Sequence, residues 1–269
     1  MTHPDEVHTL HAGVVGFYDG LFLSPIHEEV YEASGFSNWG YWSPGTTSAV
    51  RASEQLVDKL LEPVSNRGAV LDVACGSGGT TAYLARSFAQ VTAINLSAYQ
   101  IARTRTRAPA ARPVQMDATR LAFAPASFDV VICVEAVFHF PSKARFFADA
   151  FRVLKPGGWL VCSDVIIPAQ LESYRQREMA TLPQTIFPYS NRWNLLAYQE
   201  VLDVLGFTAT LTSAYQETWQ GFLAFHRAWC ERQIQADPAH ADVYRQGLAT
   251  YASYNASICD YLLVAAQKK

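Results

Sequence analysis

The sequence predicts an α/β fold: a seven-stranded, mostly parallel sheet with a helical N-terminal lid and helical insertions. Three observations carry this. Four apolar runs in the middle third, Ala69 to Val73, Val91 to Leu96, Phe128 to Val134 and Trp159 to Cys162, have strand length and are parted by helix-length segments of mixed polarity. Arg112 to Met116 is a weaker fifth candidate at fitting spacing, and Phe207 to Thr212 and Ile258 to Ala266 supply two more. Strands that alternate with helices are expected to form a parallel sheet with right-handed crossovers and both faces covered.

The elements follow in order. Residues 1–62 are expected to form the lid and 63–165 the core, with 166–193 and 216–255 as cap insertions in a single domain. Asn194 to Leu205 reads as an amphipathic helix closed by Gly206, at a position that favours positive φ. Leu171 to Pro188 mixes Met, Pro and aromatic residues without clean periodicity. Two helical patterns, roughly Glu217 to Gln235 and Ala239 to Ser253, are parted by Asp237 and Pro238.

Composition narrows the function. The chain of 269 residues has a net charge of -3 and, beyond the short Arg103, Arg105, Arg107, Arg112 cluster, no dense basic run. It lacks the field that captures a phosphate backbone, so no nucleic-acid partner is expected. Five scattered cysteines without C-x-x-C spacing fit a reduced, cytoplasmic protein. No apolar stretch approaches membrane-spanning length, and the first ten residues do not read as an export signal.

The first strand runs into a glycine-rich turn, Ala69-Val-Leu-Asp-Val-Ala-Cys-Gly-Ser-Gly-Gly-Thr-Thr81. Gly76 and Gly78 allow the backbone to turn sharply near a ligand, and the next helix start offers free N–H groups. By itself such a turn also suits a dinucleotide or no ligand at all. The D-x-A-x-G-x-G spacing differs from the G-x-G-x-x-G of pyrophosphate sites. Ser127-Phe-Asp-Val-Val-Ile-Cys-Val134 and Phe151-Arg-Val-Leu-Lys-Pro-Gly-Gly-Trp159 follow as strand, helix, Pro-Gly-Gly turn and strand.

With these three segments in order, the chain resembles the class I S-adenosylmethionine (SAM)-dependent methyltransferases, whose sheet is Rossmann-like, from about Tyr18 onward. Phe17-Tyr-Asp19, Asn38-Trp-Gly-Tyr-Trp42 and Glu135-Ala-Val-Phe-His-Phe140 make it similar to bacterial small-molecule enzymes of natural-product pathways. The resemblance implies SAM as cofactor and a small-molecule acceptor. It places Asp72, Ala74, Gly76 and Gly78 at the methionine end of SAM. Where most of the superfamily has an acid for the ribose, this chain has Asn95, followed by Leu96 and by Gln100; an amide bonds a diol without the strengthening charge. Asp117, with Ala118, matches the adenine segment. Tyr18, Trp39, Tyr41 and Trp42 are aromatic candidates near the sulfonium. Glu135, at the end of the fourth strand, is expected to face cofactor or substrate without an assigned role.

Methyl transfer requires alignment and exclusion of water, and an alcohol or phenol acceptor also needs help losing its proton. His139, just past the fourth strand, is the best base, since open α/β sheets place ligands at the carboxyl ends of their strands; His3, His8 and His11 fall near an N-terminus expected to be mobile. Asp164, at the end of the fifth strand, would orient the imidazole or bind the acceptor hydroxyl. Cap aromatics, among them Met179's neighbours Phe187 and Tyr189, and Trp193, Trp219, Phe222, Trp229, Tyr251 and Tyr254, suit a hydrophobic or aromatic acceptor. No metal is implied. Transfer to carbon, or a methyltransferase-like protein that binds SAM without methyl transfer, are the alternative readings. Oligomeric state is not legible.

Overall fold

The computed structural model describes residues 4–166, 193–255 and 258–269. Met179, Phe187 and Tyr189, and with them nearly all of the insertion expected at 166–193, lie outside the described residues.

Seven strands form one sheet in the order β3-β2-β1-β4-β5-β7-β6. They are β1 (Ala69–Val73), β2 (Gln90–Asn95), β3 (Arg112–Gln115), β4 (Phe128–Cys133), β5 (Leu154–Ile166), β6 (Phe207–Ser213) and β7 (Asp260–Lys268). β1 pairs in parallel with β2 and β4, and so do β2 with β3 and β4 with β5. Only β7 runs against its neighbours, β5 and β6. The Rossmann-like, mostly parallel sheet is thus present.

Side chains alternate across the pleat and bury both faces. Val70, Val130 and Ile132 point into one apolar cluster, whereas Leu71, Val131 and Cys133 point into another. The first face is covered by α3 (Ala49–Leu61) and by Trp219, Phe222 and Trp229 from the cap. On the second lie α6 (Lys143–Val153) and α7 (Leu195–Leu205). The remaining helices are α1 (Pro4–Leu23), α2 (Pro25–Val30), α4 (Gly79–Leu84), α5 (Ala98–Arg107), α8 (Gly221–Ala236) and α9 (Ala241–Asn255).

Local chemistry sets several boundaries. Asn194 caps α7 by accepting from Ala197 N–H, and Gly206 ends it at φ 95°, as its position in the sequence suggests. Ser97 and Ser142 cap α5 and α6 in the same way. Lys155-Pro-Gly-Gly158 does not form the turn expected of it. It lies inside β5, which starts at Leu154 and shifts register opposite Phe128 and Val130, with Gly157 at φ 75°. A Pro-Gly-Gly run marks an interruption, and periodicity cannot tell a turn from a bulge that keeps the strand going. Among the described residues no helix is long and apolar enough to cross a membrane.

Candidate active site

The carboxyl ends of β1, β2 and β4 open onto one cleft enclosing about 1050 Å³, counted out into open solvent at its mouth.

The floor is the turn after β1. Ala74, Gly76 and Gly78 all have left-handed φ, at 58°, 56° and 89°. Behind the turn, α5 holds it: Thr104 Oγ1 donates to Gly76 O at 3.1 Å, and Arg107 Nη1 to Ser77 O at 2.6 Å. In front, a side chain at Gly76 would bring its Cβ to 3.1 Å from the Phe22 ring. Gly76→Leu is therefore expected to fill the cleft and abolish ligand binding, while thermal melting shows the protein still folded. Wild-type ligand affinity in that variant would mean the turn does not face the ligand.

Asp72 is buried at the end of β1, where Thr81 Oγ1 donates to its Oδ2 at 2.6 Å. Burial pushes its carboxyl up to about 7 against the pull of that bond. Glu135, two residues past the end of β4, has φ 49°, a conformation strained for a residue with a side chain. Its Oε1 accepts from Trp39 N–H at 2.8 Å and from Tyr261 O–H at 2.6 Å, and burial raises it to about 8. In the ligand-free protein, then, folded Glu135 holds its proton above the pH at which the unfolded chain releases it. The folded state binds more protons between about 4.5 and 8, so this group's contribution falls as pH rises through that window. Thermal melts of Glu135→Gln from pH 5 to 8 should show a shallower loss of stability than wild type; parallel curves would place the titration elsewhere.

The cleft's lid is α1. His11, Val15, Tyr18 and Phe22 recur at helical spacing along one face and line it together with Val14. Tyr18 O–H meets His139 Nε2 at 2.7 Å, with the rings edge to face at 5.2 Å. Burial, reinforced by Glu135, Tyr251 and Tyr254, holds the Tyr18 phenol far above its usual value, so it stays protonated, and it donates to Nε2 in the tautomer that carries the imidazole proton on Nδ1. Asp19, the next residue, reaches the opposite wall through Ser97 and Gln100.

Of the residues singled out in the sequence, Tyr18, Asp72, Ala74, Gly76, Asn95, Leu96, Gln100, Asp117, Ala118, Glu135 and His139 all line this cleft. Three do not. Gly78 turns its α-carbon toward Thr104, so it shapes the loop from behind. Trp42 stacks on Phe225 of α8 at 4.6 Å and donates Nε1–H to Trp39 O, which fastens the lid to the cap. Asp164 lies within the sheet, wholly buried, where Lys143 Nζ and Tyr198 O–H both donate to its Oδ2. Trp39 packs its ring on Trp219 at 4.2 Å, and Tyr41 faces Lys59 in a separate groove.

The expectation of a mobile N-terminus sets His11 aside, and Asp19, which enters only within the Phe17-Tyr-Asp19 motif, has no role expected of it. Residues 11, 15, 18 and 22 carry a helical stripe that would have found the first. Nothing in the sequence pairs Asp19 with Gln100, 81 positions away.

The residues present fit a nucleoside with a cationic side chain. Asp72 and Glu135 offer carboxyls at the turn, Asn95 and Gln100 offer amides, and Asp117 stands beside His11, whose buried Nε2 has no partner.

Residues 71–162 match the model of a family described as "Methyltransferase domain". The 27-O-demethylrifamycin SV methyltransferase of Amycolatopsis mediterranei is 34% identical over 150 residues, 51% of this chain and 55% of that protein. For erythromycin 3''-O-methyltransferase of Saccharopolyspora erythraea the figures are 31% over 150 residues, 52% and 49%. The chain thus spans about half the length of the curated relatives it matches. Among solved structures, the cyclopropane synthase MmaA2 of Mycobacterium tuberculosis has TM-score 0.76 at 19% identity, covering 96% of this chain and 98% of that one. The [4+2]-cyclase SpnF has TM-score 0.70 at 23%, covering 95% and 94%. At such identities these likenesses concern the fold alone.

Proposed function

We propose that this chain, which has the Rossmann-like α/β fold of the class I SAM-dependent methyltransferases and their methyltransferase domain over residues 71–162, transfers a methyl group to a hydroxyl of a small, hydrophobic or aromatic natural-product-type molecule. The observation that carries this reading is the Tyr18–His139 pair, standing over the cleft built on the Asp72-to-Gly78 turn.

SAM would be held by Asp72, Ala74 and Gly76 at its methionine end, by Asn95 and Gln100 at the ribose, and by Asp117 and Ala118 at the adenine. When bound, it supplies an electrophilic methyl on a sulfonium with a neutral thioether as leaving group. The protein's own work is to exclude water and to take a proton. α1 closes the cleft with apolar Val14, Val15 and Phe22, and Tyr251 and Tyr254 stand near Tyr18. The acceptor's hydroxyl proton ends on His139 Nε2. In the tautomer whose Nε2 is unprotonated, Tyr18 O–H occupies that nitrogen, and the acceptor hydroxyl would donate to the Tyr18 oxygen as the phenolic proton passes to the imidazole.

The named O-methylation of the rifamycin- and erythromycin-type relatives favours oxygen over carbon as acceptor atom. Incubation with SAM and a panel of hydroxylated acceptors should release S-adenosylhomocysteine above the no-acceptor control and yield a methyl ether. A carbon-bound methyl in the product would move the reading to C-methylation. SAM binding without turnover on any acceptor would favour a protein that keeps SAM for another purpose.

A further inference from the structure

We propose that Asp19, on the lid helix, is the acidic positioning residue of the ribose end of the cleft, and that it acts through Gln100. The assignment rests on the cofactor reading above. β2 ends in Asn95, an amide without charge, yet a carboxylate stands one hydrogen bond beyond it. Asn95 Oδ1 accepts from Ser97 N–H at 2.9 Å, and its Nδ2 donates to Gln100 Oε1 at 3.0 Å. Gln100 Nε2 in turn donates to Asp19 Oδ1 at 2.7 Å, and Ser97 Oγ donates to the same oxygen at 2.7 Å.

A carboxylate only accepts hydrogen bonds, so Asp19 decides which end of the Gln100 amide faces it. With Nε2 committed, Oε1 must face Asn95, and Asn95 must turn its Nδ2 inward and its Oδ1 to the backbone. A single charge on α1 thereby orders two amides that line the cleft. Gln100 is 3% exposed, so its amide is shielded from water, although Asp19 itself is part-buried. It retains a second N–H on Nε2 and a second lone pair on Oε1, one donor and one acceptor, which is the complement of a vicinal diol. The bond from Nε2 to an ion is also stronger than one between neutral groups. The charge that the strand end lacks is supplied from another element, and it arrives only when the lid is in place.

The test is titration calorimetry with S-adenosylhomocysteine and its 2′-deoxy analogue. Wild type is expected to prefer the complete nucleoside by roughly tenfold, the scale of a lost hydrogen bond within a charge-assisted chain. Asp19→Ala and Gln100→Ala should each bring that preference to within about twofold, and the double variant should lose no more than either. A purely structural role for Asp19 would weaken both ligands equally and leave the preference intact, which would overturn the assignment. Should Asp19→Ala not fold, the isosteric Asp19→Asn gives the same reading, with a reduced preference expected. Wild type that binds both ligands equally would remove Gln100, and Asp19 with it, from ribose recognition. Wild type that binds neither would overturn the cofactor reading itself.

Discussion

His139→Ala is expected to lower kcat by about 10²- to 10⁴-fold, the usual contribution of a positioned base, while the dissociation constant for SAM stays near the wild-type value. On the proposed reading the loss falls on kcat, because the imidazole would take the acceptor's proton while Asp72, Gln100 and Asp117 would hold the cofactor. Tyr18→Phe separates two routes. If the proton passes through the phenol, the variant loses rate nearly as His139→Ala does; a much smaller loss would mean the acceptor reaches Nε2 directly once the ring steps aside. Acceptors with already acidic hydroxyls should depend less on His139, since deprotonation then costs less. A His139→Ala enzyme turning over an aliphatic alcohol at the wild-type rate would sink the general-base assignment and leave proximity as the source of the rate.

The second large effect concerns stability. Lys143 and Asp164 form an ion pair at 1% and 0% side-chain exposure, and Tyr198, also fully buried, donates to the same carboxylate oxygen. Breaking such a pair strands a charge out of water. Asp164→Ala or Lys143→Met should each cost about 3 to 5 kcal/mol in denaturant unfolding. The double variant Lys143→Met with Asp164→Leu should recover most of that loss, because removing both charges removes the cost of burying them. Single and double variants equally unstable would mean the pair contributes through shape rather than charge. Asp164→Asn also leaves the buried Lys143 without its counter-charge and should lower the melting temperature, and a fall in kcat of the protein that remains folded is expected only if the carboxylate orients His139.

Much of this architecture was legible in the residues. β1 and β4 are short apolar runs bounded by turn-formers and buried on both faces, so composition alone locates them, whereas β3 and β6 are mostly unburied and show more weakly. Gly206 and Asn194 announce the ends of α7 for reasons of backbone chemistry. The Asp72-to-Gly78 turn is equally local: its conformation needs those glycines whatever surrounds it. What escaped is nonlocal. Asp164 sits at a strand's carboxyl end, as a catalytic carboxylate would, but its neighbour Ser163 accepts from the Glu135 backbone, and Asp164 itself meets Lys143 and Tyr198. Alternation along β5 decides that, and one residue of register reverses it. Trp42 belongs to an aromatic motif, yet the ring fits against Gly221, where any side chain would collide with it. Asp19 gains its place from the packing of α1, which no spacing within the helix discloses.

The position of β7 has a consequence for synthesis. This strand is wedged between β5 and β6, and it is the one that joins β6 to the rest of the sheet. On the ribosome, β6 is complete at Ser213, but its partner does not begin until Asp260. At about 5 to 20 residues per second, that leaves the nascent edge without its neighbour for roughly 2 to 10 s, ample time for chaperone capture or for pairing with a second nascent chain. Tyr261, which donates to Glu135, emerges with the same segment, so Glu135 gains this partner only once β7 has been made.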